Sequence, residues 1–322
     1  MNRYARQMIL PEIGAQGQAR LGAAHVLVVG AGWLGVPVLQ YLAGAGVGQI
    51  TLVDDDRIAT HNLHRQPLYR MDQVGSFKAE SAAEVLAALN PEVRLTPVTA
   101  WLDPVNAVDL VAQADLVLDC ADTFAASLTL SDSCMAAGTP LIAASALALS
   151  GYVGGFCGGG PSVRALFPEL PERGATCDTA GVMGPVVGMI GALQAQMGLS
   201  VLLDLIPSPL GQLVSFDVKC WRFSGFRFDA AHEPDRILPF ISTAQVMPND
   251  LLIDLRTEEA HPFRADALHL DAAQAQALIP PTTARRVVFA CRTGLRAHHA
   301  GIALQNRWNG KIALLAVPPT DT

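Results

Sequence analysis

The sequence predicts an α/β protein: a doubly wound, mostly parallel sheet that ends in an antiparallel strand pair, followed by a smaller α/β unit. Three observations carry this reading. Residues 25–54 run strand, glycine turn, helix, strand, the order that builds parallel sheets. Apolar strand-length runs recur through residue 145 with helical spacing between them. Beyond a stretch rich in charge and proline, residues 229–239, two more short apolar runs restart the pattern.

In order, His25 to Val29 is an apolar strand that runs into Gly30-Ala31-Gly32-Trp33-Leu34-Gly35 and a helix, and residues 49–54 form the next strand. Residues 78–90 have helical spacing, closed by Pro91. Residues 94–98, 115–120 and 140–145 read as strands, and 151–161 as a glycine-rich irregular segment. Residues 161–181 are polar and charged and contain Cys177, as a crossing loop would be, and an apolar helix follows Pro185. Residues 213–218 and 221–228 form a strand pair with alternating aromatics. The expected division is 1–228, a linker at 229–240, and 241–322.

Composition excludes several classes. With 322 residues, 51% of them hydrophobic, the chain can bury a large core. A net charge of -7 argues against a nucleic-acid groove or an anionic membrane surface. Six cysteines (120, 134, 157, 177, 220 and 291) include no Cys-x-x-Cys pair, so neither a disulfide framework nor a zinc knuckle is indicated. Residues 21–53, 133–163 and 179–203 lack charge, but glycines interrupt each, as in buried strands and helices. The first residues have no apolar signal core, so the cytoplasm is the expected location.

The glycine turn lets backbone approach a phosphate at a helix N-terminus, and Asp54 falls where an acidic side chain meets ribose hydroxyls. A nicotinamide dehydrogenase would fit this much. It would not account for Arg65 and Lys78, cations that suit a triphosphate to be neutralised during attack on phosphorus. Asp122, just past a parallel strand, is a metal or phosphate candidate. Cys291-Arg292-Thr293-Gly294-Leu295-Arg296 places a cysteine between strand and helix with two arginines, where amides and cations stabilise a thiolate.

With these residues in hand, 1 to about 228 resembles the ThiF/MoeB/HesA family, bacterial relatives of ubiquitin-activating enzymes, and the C-terminal part resembles a shortened rhodanese. The matching segments are residues 3–7, the glycine turn, 41–48, the aspartates with Asn62-Leu63-His64-Arg65-Gln66, 119–122, and Thr176-Cys177 through Pro185. The resemblance implies a Rossmann-like fold, a homodimer, and ATP-dependent adenylation of the C-terminal Gly-Gly end of a small ubiquitin-like sulfur carrier of the ThiS/MoaD kind. Sulfur transfer to a thiocarboxylate would follow, for thiamine or molybdenum cofactor synthesis, with a cysteine desulfurase as a sulfur source.

By that likeness Gly30, Gly32, Trp33, Gly35, Asp54, Asp56, Asn62, Arg65, Gln66 and Lys78 bind the nucleotide. Asp122 holds Mg2+ through ATP, Arg6 reaches the partner subunit's site, Cys177 is the crossover-loop cysteine, and Cys291 with Arg296 carries persulfide sulfur. Four departures set this chain apart. Ser162 and Ala165 stand where the family has its first zinc-binding cysteine pair and the second pair is absent, so no zinc is expected. Trp33 replaces a glycine of the turn, where it would cover or restrict the phosphates. His61 and Thr123 replace a common serine and asparagine, and the rhodanese-like part is compressed between Arg256 and Arg285. The alternative is a nucleotide-binding module of the same fold whose adenylation is lost or altered, acting by binding or regulation.

Overall fold

The computed structural model describes residues 2–171 and 181–318. The first sheet has eight strands in the order β3-β2-β1-β4-β5-β6-β7-β8. These are β1 (His25–Val29), β2 (Gln49–Val53), β3 (Arg94–Val98), β4 (Leu116–Asp119), β5 (Pro140–Leu147), β6 (Ser150–Cys157), β7 (Gln212–Asp217) and β8 (Arg222–Arg227). Pairing is parallel from β3 through β5, with His25 opposite Gln49 and Val26 opposite Leu116. It is antiparallel from β5 through β8.

The expected antiparallel pair is β7 and β8, and β6 extends the antiparallel portion by joining that pair to β5. Residues 151–157 are ordered strand, not an irregular glycine segment. The glycines serve close approach: a Cβ on Gly151 would overlap Ile190 and the Ser145 carbonyl, and one on Gly155 the Pro209 carbonyl.

Alternation along β1 sorts two cores. Val26 and Val28 face the helices α2 (Gly35–Ala45), α3 (Lys78–Leu89) and α7 (Gly184–Leu202). Leu27 and Val29 face α4 (Pro104–Ala112) and α5 (Phe124–Ala137). Of the described helices α7 alone is long and apolar enough to cross a membrane, yet it lies against α2, β4, β5 and β6 and carries the fully buried Gln194.

The second sheet has five strands, all parallel, in the order β11-β10-β12-β13-β9. They are β9 (Phe240–Ile241), β10 (Asp250–Asp254), β11 (Leu268–His269), β12 (Arg286–Cys291) and β13 (Lys311–Ala316), with helices α8 (Ala272–Ala277) and α9 (Leu295–Gln305). One face, with Phe240, Phe289 and Leu314, joins the same apolar cluster as Leu27, Val29, Ala125 and Leu128, so the two sheets share a core through α4 and α5.

A polar clasp holds the connection between them. Ser162, buried at the start of α6 (Val163–Leu166), accepts from the Ala165 N–H at 3.1 Å, while its own N–H and hydroxyl donate to the Glu233 carboxylate at 2.7 and 2.5 Å. Beside it the buried Arg164 donates to both oxygens of Asp132 at 2.7 and 2.8 Å and to the Leu238 carbonyl. At the position of the family's first zinc pair, side-chain hydrogen bonds thus tie the linker down. Ser162→Ala, which removes both the cap and the hydroxyl bond, is expected to lower stability by about 1–3 kcal/mol in urea unfolding; a chelator is expected to leave the unfolding midpoint unchanged.

Candidate functional site

The strand order reverses between β1 and β4, and the crevice beyond the C-terminal ends of these strands is where open α/β sheets take ligands. The glycine turn lies there. A Cβ on Gly35 would overlap the Gly30 carbonyl, so the tight passage from β1 into α2 requires glycine at that point. Asp54, half-buried at the end of β2, accepts from the Ala31 N–H at 2.7 Å and from the Asp56 N–H at 2.9 Å. Lys78, buried at the first position of α3, pairs with Asp56 at 2.7 Å. The crevice therefore has amide donors, a ribose-type carboxylate and a cation within one small region.

Two residues that sequence reasoning missed hold this arrangement. The buried Tyr69 hydroxyl donates to the Ala31 carbonyl at 2.6 Å, with the Lys78 carbonyl 3.3 Å away. Ala31 is thus held on both sides of its residue, by Asp54 and by Tyr69. Gln194 on α7 donates to the Asp119 carbonyl at the end of β4 at 2.7 Å and to the Ile142 carbonyl within β5 at 3.0 Å, tying down the strand end that Asp122 follows. An aromatic within the polar run and a glutamine inside an apolar helix were the available signals.

The other candidates are placed unevenly. Gln66 is buried, its amide Nε2 is the side-chain atom nearest Gly32 of the turn, and its Oε1 has no hydrogen-bond partner among the described residues. Asn62 spends its Oδ1 on the Ala59 N–H at 3.0 Å, so it shapes the loop. Arg65 is folded back onto the His61 carbonyl and the His64 ring, both at 2.9 Å, and its Nε lacks a partner. Trp33 is 9% exposed and packs in the core with Ala31 and Leu34. Thr123 caps α5 by accepting from the Ala126 N–H.

Asp122 is exposed at the end of β4 and raises the proton affinity of both Asp55 and Asp119 by like-charge repulsion. Among the described residues no cluster of three or more His, Cys, Asp or Glu forms a ready metal cage. A magnesium ion held by one or two carboxylates and substrate phosphates fits this arrangement, since that ion keeps several oxygen ligands from outside the protein. Arg6 is exposed and lies at the other end of α2, where Asn90 bonds the Tyr4 hydroxyl and the Ala43 carbonyl, and Gln7 the Ala45 carbonyl. Eleven residues of helix separate that end from the glycine turn, about 16 Å.

Cys291, at the end of β12, is 1% exposed, and its Sγ accepts from the Ala297 N–H at 3.4 Å. Burial pushes its thiol above the ordinary value. The loop arginines are engaged elsewhere: Arg292 with Glu259 at 2.7 Å, Arg296 with Glu258 at 2.5 and 2.8 Å. The expected amides of Gly294, Arg296 and Ala297 and the Arg296 charge pull the thiol the other way, but burial outweighs them. Cys177 lies outside the described residues.

These residues line a crevice at the strand-order reversal of a doubly wound sheet. A family model described as ThiF matches residues 4–236, and the chain belongs to the ThiF family. It is 44% identical over 239 residues to "Adenylyltransferase and sulfurtransferase MOCS3" of Bos taurus, covering 72% of this chain and 52% of that protein. It is 42% identical over 219 residues to "SAMP-activating enzyme E1" of Haloferax volcanii, covering 67% and 81%. The chain spans about half the length of its MOCS3 relatives. In fold it is similar to E. coli MccB crystallised with ATP, at TM-score 0.63 and 24% identity, covering 71% of this chain and 72% of that one.

Burial pushes Asp54 and Asp119 up to about 6. A carboxyl with a raised native value stabilises the fold fully below its unfolded value near 4, and that contribution is lost as pH rises through about 6. Stability is therefore expected to fall between pH 4 and 6. Asp119→Asn is expected to flatten this slope and to gain about 1–2 kcal/mol at pH 7 in urea unfolding, with no gain at pH 4.

Proposed function

We propose that this chain uses ATP to adenylate the C-terminal glycine of a small ubiquitin-like sulfur carrier and then passes sulfur to it. The observation that carries the reading is the crevice itself: the glycine turn, Asp54 and the Lys78–Asp56 pair converge on one strand-order reversal. The names of the relatives, an adenylyltransferase with sulfurtransferase and a SAMP-activating enzyme, agree with it.

In this reading Asp54, with lone pairs left beyond its two backbone bonds, accepts the ribose hydroxyls, and the turn amides and α2 N-terminus receive phosphate oxygens. Lys78 neutralises charge as it develops, and Arg65 does so after turning away from His61. Asp122 would hold a magnesium ion, which would supply positive charge against the departing pyrophosphate. The carrier carboxylate attacks the α-phosphorus; a carboxyl–phosphate bond forms and the bond to pyrophosphate breaks.

A persulfide on Cys291 then attacks the acyl carbon and AMP leaves. A second thiol, assigned to Cys177, attacks the Cys291 sulfur, which releases the thiocarboxylate and leaves a disulfide. The rhodanese-like assignment of the C-terminal unit rests on the Cys291 loop. In this reading Arg6, exposed and one helix length from its own turn, serves the partner subunit of a homodimer.

ATP–pyrophosphate exchange that requires a Gly-Gly-ended carrier tests the reading, and Asp122→Ala is expected to lose at least about 100-fold of it. ATP binding without exchange against any carrier would sink it. Tyr69→Phe, which frees the Ala31 carbonyl, is expected to weaken ATP binding about five- to tenfold while leaving the KM for carrier unchanged; equal loss for both ligands would reduce Tyr69 to a general structural role.

A further inference from the structure

The Cys291 loop is not free at the surface of its own unit. It is pressed against the first turn of α5. The Ala125 N–H, one of the helix-start donors that has no partner within the helix, donates to the Thr293 carbonyl at 3.0 Å. Gly294 fits only because it lacks a side chain: a Cβ there would lie 2.7 Å from Phe240 and 3.0 Å from Ala125. A second tie joins the His299 ring to the Pro171 carbonyl at 2.9 Å. Arg292 and Arg296 are closed off in the same arrangement by Glu259 and Glu258. The face that would meet a sulfur donor is thus the face turned toward the nucleotide-binding half.

We propose that this docking is a latch on Cys291: the loop must leave α5 before a donor can reach the thiol, and α5, whose N-terminus follows Asp122 by two residues, is the part of the adenylation site that holds it. The proposal rests on the reading of Cys291 as a sulfur carrier and adds its control. Docking completes the hydrogen bonding of the α5 start, and buries Leu238, Phe240 and Ala297 in the core shared with Ala125 and Leu128. Loading and delivery would then alternate with loop position.

The test is alkylation of the native full chain by iodoacetamide, followed residue by residue by mass spectrometry, with the exposed Cys220 as internal reference. In the unaltered chain Cys291 is expected to label at least about 50-fold more slowly than Cys220, as for a group reached only through local opening. Ala125→Glu places a bulky charge at the interface in the first turn of α5, where an acidic residue suits the helix itself. It is expected to speed Cys291 labelling about tenfold and leave Cys220 unchanged. Should that variant fail to fold, His299→Ala, which removes the second tie to the nucleotide-binding half at the Pro171 carbonyl, is expected to speed Cys291 labelling several-fold.

Labelling of Cys291 as fast as Cys220 in the unaltered chain would overturn the latch. So would undiminished protection in the folded variants, which would assign the cover to the C-terminal unit alone. Alkylation reads the latch whether or not Cys291 accepts sulfur, so a missing persulfide after undocking would fail the sulfur reading and not this measurement.

Discussion

The clamp on Ala31 is the contact on which the nucleotide crevice depends. A glycine turn is pliable, and its amides can cradle phosphate only if something outside the turn fixes them. Asp54 holds the Ala31 N–H from β2 and Tyr69 holds its carbonyl from the segment before α3. Through those two bonds the turn, the ribose carboxylate and the start of the helix that carries Lys78 share one frame. Burying a carboxylate to do this raises its proton affinity, so preorganisation at Asp54 and a small loss of stability at neutral pH have the same origin.

The same economy governs how the two halves meet. β1 alternates its side chains between two cores, and the core on the α4 and α5 side continues into the second sheet. The C-terminal unit is therefore seated on apolar contacts of the kind that fix domains, while its Cys291 loop meets α5 through one backbone bond and the close packing of Gly294 on Ala125. Strong seating of the body with weaker seating of the loop permits local movement without separation of the halves.

Most of the fold was legible because its signals are local: apolar runs of strand length, the glycine turn, and Pro91 closing a helix. The segment at 151–157 was misread because its glycines serve contacts with Ile190 and Pro209, distant in sequence. Site legibility divided along the same line. Asp54 and Lys78 announce themselves by type and spacing, whereas Tyr69 and Gln194 act on backbone carbonyls and carry no charge to mark them. Trp33 was judged by its position in a motif, but its surroundings place it in the core. The arginines beside Cys291 looked like thiolate partners because Glu258 and Glu259 lie more than thirty residues away.

Helix α7 touches the crevice at two points. Its first residue, Gly184, packs so closely on the His64 carbonyl that a Cβ there would lie 2.7 Å away, and ten residues later Gln194 grips the Asp119 carbonyl at the end of β4 and the Ile142 carbonyl within β5. A stiff rod anchored twice cannot tilt at one anchor without straining the other. The run that contains Arg65 and the strand end that presents Asp122 are therefore mechanically geared, and whatever displaces the segment entering α7 will move the cationic and acidic sides of the crevice together.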